Sequence, residues 1–348
     1  MSHDQNSLSE TARPSGPRTV AITGVGGFIG LAVARAARAR GDRVVGLELS
    51  PEAAARARAA GVEVIEGNLT SVAACRQLVR DADVVVHTAA VVAEDGDPAL
   101  FEQVNVTAPA HLAAAASEAG VRELVHLSSV MVYGFSYPPD VTEEGPLRGE
   151  GNPYCATKAR SEVAVREALQ AAGDRTRLTV VRPGDVYGPG SVPWVVRPLE
   201  LMRRRLFVLP DGGRGTINHV HVDNLVDGIL LAADRAPGTP DTYNLTDGVA
   251  TSWAAYFNEL NGWVRGPGAR LPSAPSSLLL PAFRALEIGS GLLGVEPPAR
   301  PAALRFISRM HPVSIDRARR HLGYAPAVSL ADGLARTHAW ARSAGLVP

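Results

Sequence analysis

Six short runs rich in valine, isoleucine and leucine alternate with alanine-rich stretches over the first half of the chain. The runs predict strands, which in chain order are RTVAIT, RVVGLEL, VEVIEG, DVVVHTAA, ELVHLSS and RLTVVRP. The stretches between them predict helices, three of which end at Gly41, Gly61 and Gly120. Strands this apolar, each followed by a helix, indicate a parallel sheet covered on both faces. The sequence therefore predicts an α/β fold with a doubly wound parallel sheet.

This alternation stops after Tyr187, where proline and glycine become frequent. They cluster in GPGSVP, LPDGGRG, RAPGTP and GPGARLPSAP, with predicted helices between the clusters. We therefore expect a sheet domain over residues 18–187 and a smaller, mostly helical substrate domain over residues 188–348. Segments near INHVHV and YNLT are expected to return to the sheet. Residues 1–17 are polar and lack the apolar core of a secretion signal, so they predict a flexible tail.

Charge and cysteine content narrow the class of protein. The formal net charge of zero provides no basic field to recruit nucleic acid. Two cysteines, Cys75 and Cys155, are too few for a disulfide framework and favour a cytoplasmic location. No run reaches the roughly 18 uninterrupted apolar residues of a membrane span. The nearest candidate, residues 276–295, predicts either a buried helix or an amphipathic segment with weak contact to a membrane surface.

A glycine-rich loop, TGVGGFIG, lies between the first predicted strand and the first predicted helix. Gly24, Gly27 and Gly30 permit a tight turn, close approach of the backbone to a pyrophosphate and close helix–strand packing. The phosphates would meet the free N–H groups at the positive end of the helix. Turns also use glycine, but a loop that opens the first strand–helix unit is where a dinucleotide site belongs.

Glu48 ends the second predicted strand, 24 residues after Gly24. A carboxylate at this point can accept hydrogen bonds from the ribose hydroxyls of an adenosine and would repel a 2′-phosphate. The alternative is a solvated acid at a strand end. Glu48 therefore favours NAD over NADP as the cofactor.

Lys158 is the only lysine among the 35 lysine and arginine residues of the chain, and it follows Tyr154 by four positions. Asn152 is a good helix cap and Pro153 suits the first turn, so both side chains are expected on one face of a helix. A free tyrosine has a pKa of about 10, and a nearby ammonium would lower it. Tyr154 could then act as an acid and base, whereas the alternative is an ordinary pair on a helix face.

Two serines follow the fifth predicted strand in the run SSVMVYG. They lie at the carboxyl edge of the predicted sheet, where open α/β sheets bind ligands. A hydroxyl group of Ser128 or Ser129 could hydrogen-bond a substrate carbonyl, or either serine could cap a turn.

TGVGGFIG, SSVMVYG and YCATK, in this order, resemble the extended branch of the short-chain dehydrogenase/reductase superfamily, from about residue 18 to the C-terminus. The resemblance implies a Rossmann sheet, an NAD-linked reaction and a homodimer formed through two helices of the cofactor domain. It implies that Ser129 orients the carbonyl or alcohol, that Tyr154 is the acid/base, and that Lys158 binds the nicotinamide ribose and tunes Tyr154.

The resemblance also assigns the residues that bind cofactor and substrate, with no metal site. The segment VHTAA is expected to line the cofactor, Asn105 is a structural asparagine, and Asn68 replaces the family's usual aspartate near the adenine. The expected cofactor residues are Gly24, Gly27, Phe28, Ile29, Gly30, Glu48, Asn68, Leu69, Thr88, Ala89, Ala90, Asn105, Tyr154, Lys158, Pro183 and Val186. The expected substrate residues are Ser129, Val130, Met131, Tyr154, Tyr187 and His219.

The substrate class depends on one position in GGRGTINHVHVDNL. Sugar-nucleotide members of the family carry an arginine there for the diphosphate, whereas this chain has Ile217, and only Arg214 could substitute. The rest of the C-terminal half looks more like the 3β-hydroxysteroid dehydrogenase and sterol dehydrogenase branch. We predict oxidation and reduction of a secondary alcohol and ketone on a hydrophobic substrate, for which a sterol is one candidate. The alternatives are a nucleotide-sugar epimerase or dehydratase and a catalytically silent dinucleotide sensor.

Overall fold

The computed structural model of the chain describes residues 16–93, 96–149, 152–293, 304, 306, 307 and 309–348. The tail predicted over residues 1–17 lies outside the described residues except for its last two positions. Within the described part of the chain, no helix is long and apolar enough to cross a membrane.

Seven parallel strands form the central sheet, which confirms the predicted fold class. The strands of the protein, in chain order, are β1 (Thr19–Thr23), β2 (Arg43–Glu48), β3 (Glu63–Glu66), β4 (Val84–His87), β5 (Glu123–Leu127), β6 (Arg177–Pro183), β7 (Asp185–Tyr187), β8 (Leu209–Pro210), β9 (Thr216–Ile217), β10 (His219–His221), β11 (Thr242–Leu245), β12 (Thr251–Ser252) and β13 (Ser273–Ala274). The order across the sheet is β11-β6-β5-β4-β1-β2-β3. The strands are added to one side of β1 up to β3 and to the other side from β4 onward. The strand order therefore reverses between β1 and β4, the point where such sheets form a ligand crevice.

Helices cover both faces of this sheet. The helices of the described residues, in chain order, are α1 (Phe28–Ala39), α2 (Pro51–Ala59), α3 (Val72–Val79), α4 (Pro98–Glu102), α5 (Ala108–Ala119), α6 (Pro153–Ala171), α7 (Arg197–Arg203), α8 (Val222–Ala233), α9 (Trp253–Arg265), α10 (Ser276–Leu293), α11 (Asp316–Leu322) and α12 (Leu330–Ser343). Val20 of β1 belongs to the apolar core beneath α1 and α8, whereas Ala21 belongs to the core beneath α3, α5 and α6. Because successive strand residues point to opposite faces, both must be apolar, which explains the unbroken valine runs.

The helix expected from Pro98 to Ala119 is interrupted. A π-helical turn over Gln103–Thr107 separates α4 from α5. The interruption places Asn105 inside the fold, where its side chain is 2% exposed. Helix α5 ends at Gly120, as predicted, with a left-handed backbone of φ 74°.

The residues after Tyr187 form short two-stranded pairs and an aromatic core. Of the two segments expected to return to the sheet, β11 pairs with β6 in the central sheet, whereas β10 pairs with β7 in a separate ribbon. The second core contains Trp253, Tyr256 and Phe257 of α9 together with residues of α7 and α12. These contacts hold α9 and α12 against the end of β7 and the segment that follows it.

Helix α10 covers most of the segment for which a buried helix or a surface helix was expected. Leu278 is 64% exposed and Ile288 is 67% exposed, although Leu279 is buried. The helix is therefore not buried, and an apolar part of its surface faces outward. Residues 294 and 295 of the segment lie outside the described residues.

Candidate active site

The glycine-rich loop connects β1 to α1 at the carboxyl edge of the sheet. Gly24 has a left-handed φ of 63°, and a Cβ atom at Gly30 would lie 2.3 Å from the Gly24 carbonyl oxygen. A Cβ atom at Gly26, which the sequence did not single out, would lie 2.1 Å from the Ala53 carbonyl oxygen. No side chain caps α1 at Gly27, so N–H groups of its first turn are left for an anion. The loop fits a pyrophosphate.

Glu48 lies against this loop at the end of β2. Its Oε2 accepts a hydrogen bond from the Gly26 N–H at 2.9 Å, and its Oε1 accepts from the Leu49 N–H at 2.9 Å. The carboxylate is therefore anchored rather than free in solvent, and it keeps lone pairs that can accept from a ribose. Arg56 of α2 is exposed, and its Nη2 donates to the Gly26 carbonyl oxygen at 3.2 Å.

The segment after β4 forms the next wall of the crevice. Thr88 donates from Oγ1 to the Thr23 carbonyl oxygen at 2.7 Å, and the Ala89 N–H donates to Thr23 Oγ1 at 3.2 Å. A Cβ atom at Gly24 would lie 3.1 Å from the Ala89 Cα atom, so the two chain segments approach closely. Ala90 follows them and is half-buried.

Asn105 joins this wall to the helix that carries Tyr154. Its Oδ1 accepts from the Val91 N–H at 2.8 Å, while its Nδ2 donates to the Val91 carbonyl oxygen at 3.0 Å and to Thr157 Oγ1 at 3.2 Å. Both donors of the amide are used by the protein, which fits a structural asparagine. Its inclusion among the cofactor residues stays a prediction, although its side-chain amide bonds the protein.

The other expected cofactor residues divide into accessible and buried positions. Asn68 is exposed, and its Oδ1 accepts from the Thr70 N–H at 3.0 Å. Leu69 is 7% exposed and packs into the core, so its side chain is not available to a cofactor. Phe28 and Ile29 begin α1 and pack partly against the other core, whereas Pro183 ends β6 and Val186 is the middle residue of β7.

Ser129, Tyr154 and Lys158 converge at the carboxyl end of β5. Asn152 caps α6 by accepting from the Tyr154 N–H at 2.8 Å, as predicted. The Ser129 hydroxyl lies beside the Tyr154 phenol, close enough to favour its ionised form. The buried ammonium of Lys158 donates to the Leu127 carbonyl oxygen at 2.7 Å. A phenol and a hydroxyl therefore lie together beside the cofactor crevice, with an ammonium one helical turn further along α6.

Burial dominates the proton affinities of these groups. It raises the pKa of Tyr154 to about 12, although the neighbouring Ser129 hydroxyl acts in the opposite direction. It lowers the pKa of Lys158 to about 8, opposed by the negative charge of Glu162. The Tyr154 pKa is therefore raised rather than lowered as expected, because the loss of solvation dominates it.

The two serines that the sequence could not separate have different partners. Ser128 donates to the carboxylate of Glu162, which is buried on α6. Glu162 in turn pairs with Arg182, whose Nη2 lies 2.7 Å from Oε2. Ser128 thus belongs to an ion-pair network that supports α6, and Ser129 is the serine that faces the tyrosine.

Two buried histidines lie beneath Lys158 and were missed at the sequence level. His87 and His126 are register partners on β4 and β5, and their rings stack at 5.3 Å. His87 Nδ1 lies 2.7 Å from Thr23 Oγ1, and His126 Nε2 lies 2.9 Å from Ser161 Oγ. Burial and the charge of Lys158 lower the pKa of His87 to about 3, so the pair is neutral at physiological pH.

Two expected substrate residues do not offer polar groups to a substrate. His219 has no exposed side-chain surface, and its ring nitrogens lie 2.8 Å from Asp247 Oδ2 and 2.9 Å from Thr251 Oγ1. Tyr187 is 0% exposed and packs between His221 and Tyr256. Tyr187 packs in the second core and His219 is held by Asp247 and Thr251, so their assignment to the substrate stays a prediction.

The remaining substrate side of the site is apolar, with one ion pair. Val130 and Met131 follow Ser129 and are buried. Asp185 of β7 pairs with Arg309, whose Nη2 lies 2.8 Å from both carboxylate oxygens. Across the described ranges of the chain, no group of three or more histidine, cysteine or acidic residues could hold a metal ion.

Comparisons with known proteins agree with this geometry. A model of the NAD dependent epimerase/dehydratase family matches residues 20–246. The chain is 33% identical over 320 residues to a 4-hydroxy-2-methyl-3-oxo-4-farnesyl-3,4-dihydroquinoline-1-oxide ketoreductase of Stigmatella aurantiaca, covering 90% of this chain and 93% of the relative. It is 30% identical over 345 residues to a 2-alkyl-3-oxoalkanoate reductase of Stenotrophomonas maltophilia, covering 92% and 98%. The crystal structure of gox2253 superposes with a TM-score of 0.76 at 24% identity, over 96% of this chain and 100% of that one.

Proposed function

Because the chain belongs to the NAD-dependent epimerase/dehydratase family and is an enzyme of the extended short-chain dehydrogenase/reductase type, we propose that it is an NAD-linked ketoreductase for a hydrophobic ketone. The observation that carries this proposal is the placement of Ser129 beside Tyr154, with the buried ammonium of Lys158 one helical turn along α6. The three groups provide a proton donor, a second hydrogen bond to the same oxygen and a fixed positive charge.

The chain offers a binding group for each polar part of NAD. The loop from Gly24 to Gly30 and the first turn of α1 would hold the pyrophosphate. Glu48 would accept from the adenosine ribose, which favours NAD over NADP. Lys158 retains N–H groups besides the one that bonds Leu127, and these would bind the nicotinamide ribose. When bound, the cofactor supplies the hydride that the reduction needs.

The protonation state of Tyr154 favours the reductive direction. A pKa of about 12 keeps the side chain as a phenol at neutral pH, the form that donates a proton. Ser129 would hold the ketone oxygen while the Tyr154 hydroxyl delivers its proton to that oxygen. An alkoxide binds a proton more tightly than a phenolate does, so the transfer is favourable. Lys158 then stabilises the phenolate that remains.

The charge distribution of the cleft supports a hydrophobic substrate. Ile217, at the position where sugar-nucleotide enzymes carry a diphosphate arginine, is 0% exposed. Arg309 is committed to Asp185, and Arg214 is exposed. Of these three side chains only that of Arg214 could still pair with a diphosphate, and an incompletely paired diphosphate is costly. The two relatives named above are reductases whose names describe a farnesyl or alkyl group next to an oxo group. A sterol ketone is a further candidate of the same polarity.

We propose a homodimer for the assembly and the cytoplasm for its location. Val163 of α6 is 48% exposed and Leu100 of α4 is 46% exposed, which supports burial of this helical surface in a dimer. Cys75 and Cys155 are free thiols, which fits a reducing compartment. Sedimentation velocity of wild type and Val163→Glu tests the first statement, and cell fractionation tests the second. A monomeric wild-type protein or a membrane-bound fraction would contradict them.

Oxidation of NADH in the presence of a substrate panel tests the reaction itself. The panel contains 2-alkyl-3-oxoalkanoates, prenylated quinolones and 3-ketosteroids, with UDP-glucose and dTDP-glucose as the opposing class. We expect turnover of at least one hydrophobic ketone and none of the sugar nucleotides. Turnover confined to sugar nucleotides would overturn the substrate class. Tyr324→Phe is the matched control for Tyr154→Phe. It also removes a buried phenol, but one whose hydroxyl bonds the Thr246 carbonyl oxygen outside the site.

A further inference from the structure

A cavity lies between the C-terminal ends of α7 and α9, and we call it the α7–α9 cavity. Its volume is about 380 Å³, which is at the lower end of the range for small-molecule sites. Trp253, at the start of α9, packs beside Arg309, whose Nη1 lies 3.3 Å from Met131 Sδ on the proposed substrate side. Arg265, at the end of α9, lines the cavity. The 13 residues of α9 span about 20 Å, so the cavity is separate from the reaction site.

The lining of the α7–α9 cavity is positively charged. Arg205, Arg265 and Arg270 contribute to it, and no acidic residue of the described ranges does. In the same part of the chain, none of the three arginines forms an ion pair. Arg265 donates from Nη2 to the Met202 carbonyl oxygen at 2.8 Å, at the end of α7. This bond fixes the guanidinium and leaves its other N–H groups for a further acceptor.

The helix ends balance only part of this positive charge. A helix C-terminus carries roughly half a negative charge, so the ends of α7 and α9 together balance about one of the three guanidiniums. About two positive charges therefore remain around the cavity. An anion that enters would form charge-assisted hydrogen bonds, which are about twice as strong as those between neutral groups.

Asn261 distinguishes the α7–α9 cavity from an ordinary arginine-rich surface. This residue of α9 lines the cavity and is only 4% exposed. Its side-chain amide forms no hydrogen bond with any residue that the structure describes. Buried amides normally have partners, because an unpaired one costs free energy. The NH₂ group of Asn261 could donate to a carboxylate or phosphate oxygen in the cavity.

The floor of the cavity is apolar. Met202 and Phe207 are buried members of the aromatic second core, and Leu271 packs against them. An inorganic anion alone would leave this floor in contact with water. An apolar body attached to the anion would cover the floor and gain from the removal of apolar surface from water.

We infer that the α7–α9 cavity is a second binding site, for an amphiphilic anion with a carboxylate or phosphate head and a short alkyl body. The arginines pair with the head, Asn261 donates to one of its oxygens, and the apolar floor holds the alkyl body. The inference does not depend on the proposed reaction, because none of Ser129, Tyr154 and Lys158 lines the cavity.

The methionines of the chain allow the two sites to be observed separately. The sequence has four methionines, of which Met202 lines the cavity and Met131 follows Ser129 by two positions. NMR of the full chain labelled with ¹³C-methyl methionine, assigned with Met202→Leu and Met131→Leu, reports binding at each site. The ligands are octanoate, octyl phosphate, octanol and inorganic phosphate, each up to about 10 mM, which detects millimolar affinity.

Octanoate, octyl phosphate or both should shift the Met202 resonance to saturation, and the tighter of the two identifies the head group. Octanol and inorganic phosphate should bind at least about tenfold more weakly, because each lacks one half of the ligand. An unmoved Met202 resonance with both anions, a shift of Met131 alone, or octanol binding as tight as that of the anions would overturn the inference.

Substitutions in the lining test the assigned contacts. Arg205→Gln/Arg270→Gln should weaken binding of the tighter anion at least about tenfold. Arg284→Gln/Arg342→Gln removes the same charge from exposed positions outside the cavity and should leave binding unchanged. Asn261→Leu should weaken binding without lowering the urea midpoint, since its amide has no partner to lose. Wild-type affinity in the Arg205→Gln/Arg270→Gln variant, or an equal loss in the control, would refute the site whether or not Asn261→Leu folds.

Discussion

Replacing Lys158 with methionine should stabilise the protein while abolishing its reaction. The ammonium is 4% exposed, and burial lowers its pKa from 10.5 to about 8. One pKa unit corresponds to 1.36 kcal/mol, so the folded state carries the charge at a penalty of roughly 3 kcal/mol. Loss of the hydrogen bond to the Leu127 carbonyl oxygen offsets about 1 kcal/mol of the gain. We expect a net increase of about 2 kcal/mol in the free energy of unfolding at pH 7.

The sign of the pH dependence makes this prediction specific. Because the pKa of Lys158 is lower in the folded state, the unfolded chain binds more protons between pH 8 and 10.5. The wild-type penalty is therefore complete below pH 8 and disappears as the pH rises towards 10.5. The stability gap between Lys158→Met and wild type should shrink over this window.

Urea unfolding followed by circular dichroism at pH 7, 8, 9, 10 and 10.5 measures the gap. Lys158→Arg is the control, since a guanidinium stays charged throughout the window and keeps its penalty. A methionine variant that is less stable than wild type at pH 7, or a gap that does not narrow with pH, would refute the reasoning.

Three further substitutions test the cofactor loop, the support of α6 and the substrate oxygen site. Gly26→Ala places a Cβ atom 2.1 Å from a carbonyl oxygen of α2, so NADH binding measured by fluorescence should weaken at least tenfold. The control is Gly262→Ala, whose added Cβ atom has nothing within 4 Å and should leave NADH binding unchanged. Glu162→Gln leaves the buried Arg182 without its ion-pair partner, and urea unfolding should show a loss of about 3 kcal/mol; a loss below 1 kcal/mol would contradict the assigned role. Ser129→Ala removes the hydroxyl that lies beside Tyr154 and should lower kcat about a hundredfold with NADH binding intact; an unchanged kcat would remove Ser129 from the site.

Local signals were sufficient for the sheet and for the placement of the three residues proposed as catalytic. The strands follow from unbroken apolar runs, because a strand buried on both faces tolerates few polar residues. Ser129, Tyr154 and Lys158 come together because one follows β5 and the other two lie four residues apart on α6. The cap at Asn152 fixes where that helix begins, and the structure reproduces it.

Contacts between distant segments could not be predicted in this way. Asp185 and Arg309 are separated by 124 residues, and no local pattern indicates their pairing. His219 was expected near the substrate because it lies in a strand close to the cleft, but Asp247 and Thr251 bind both of its ring nitrogens. The direction of the Tyr154 pKa was also misjudged, because spacing shows which charges are near a group but not how much water the fold removes from it.

The most direct test compares the rate of NADH oxidation by wild type and Tyr154→Phe with the best ketone of the panel. Phenylalanine keeps the ring and removes only the proton donor, and general acid catalysis contributes roughly a hundredfold to ten-thousandfold. We predict a fall in kcat of at least about a hundredfold with NADH affinity unchanged. Retention of more than a tenth of the wild-type kcat would contradict the assignment of Tyr154 as the acid.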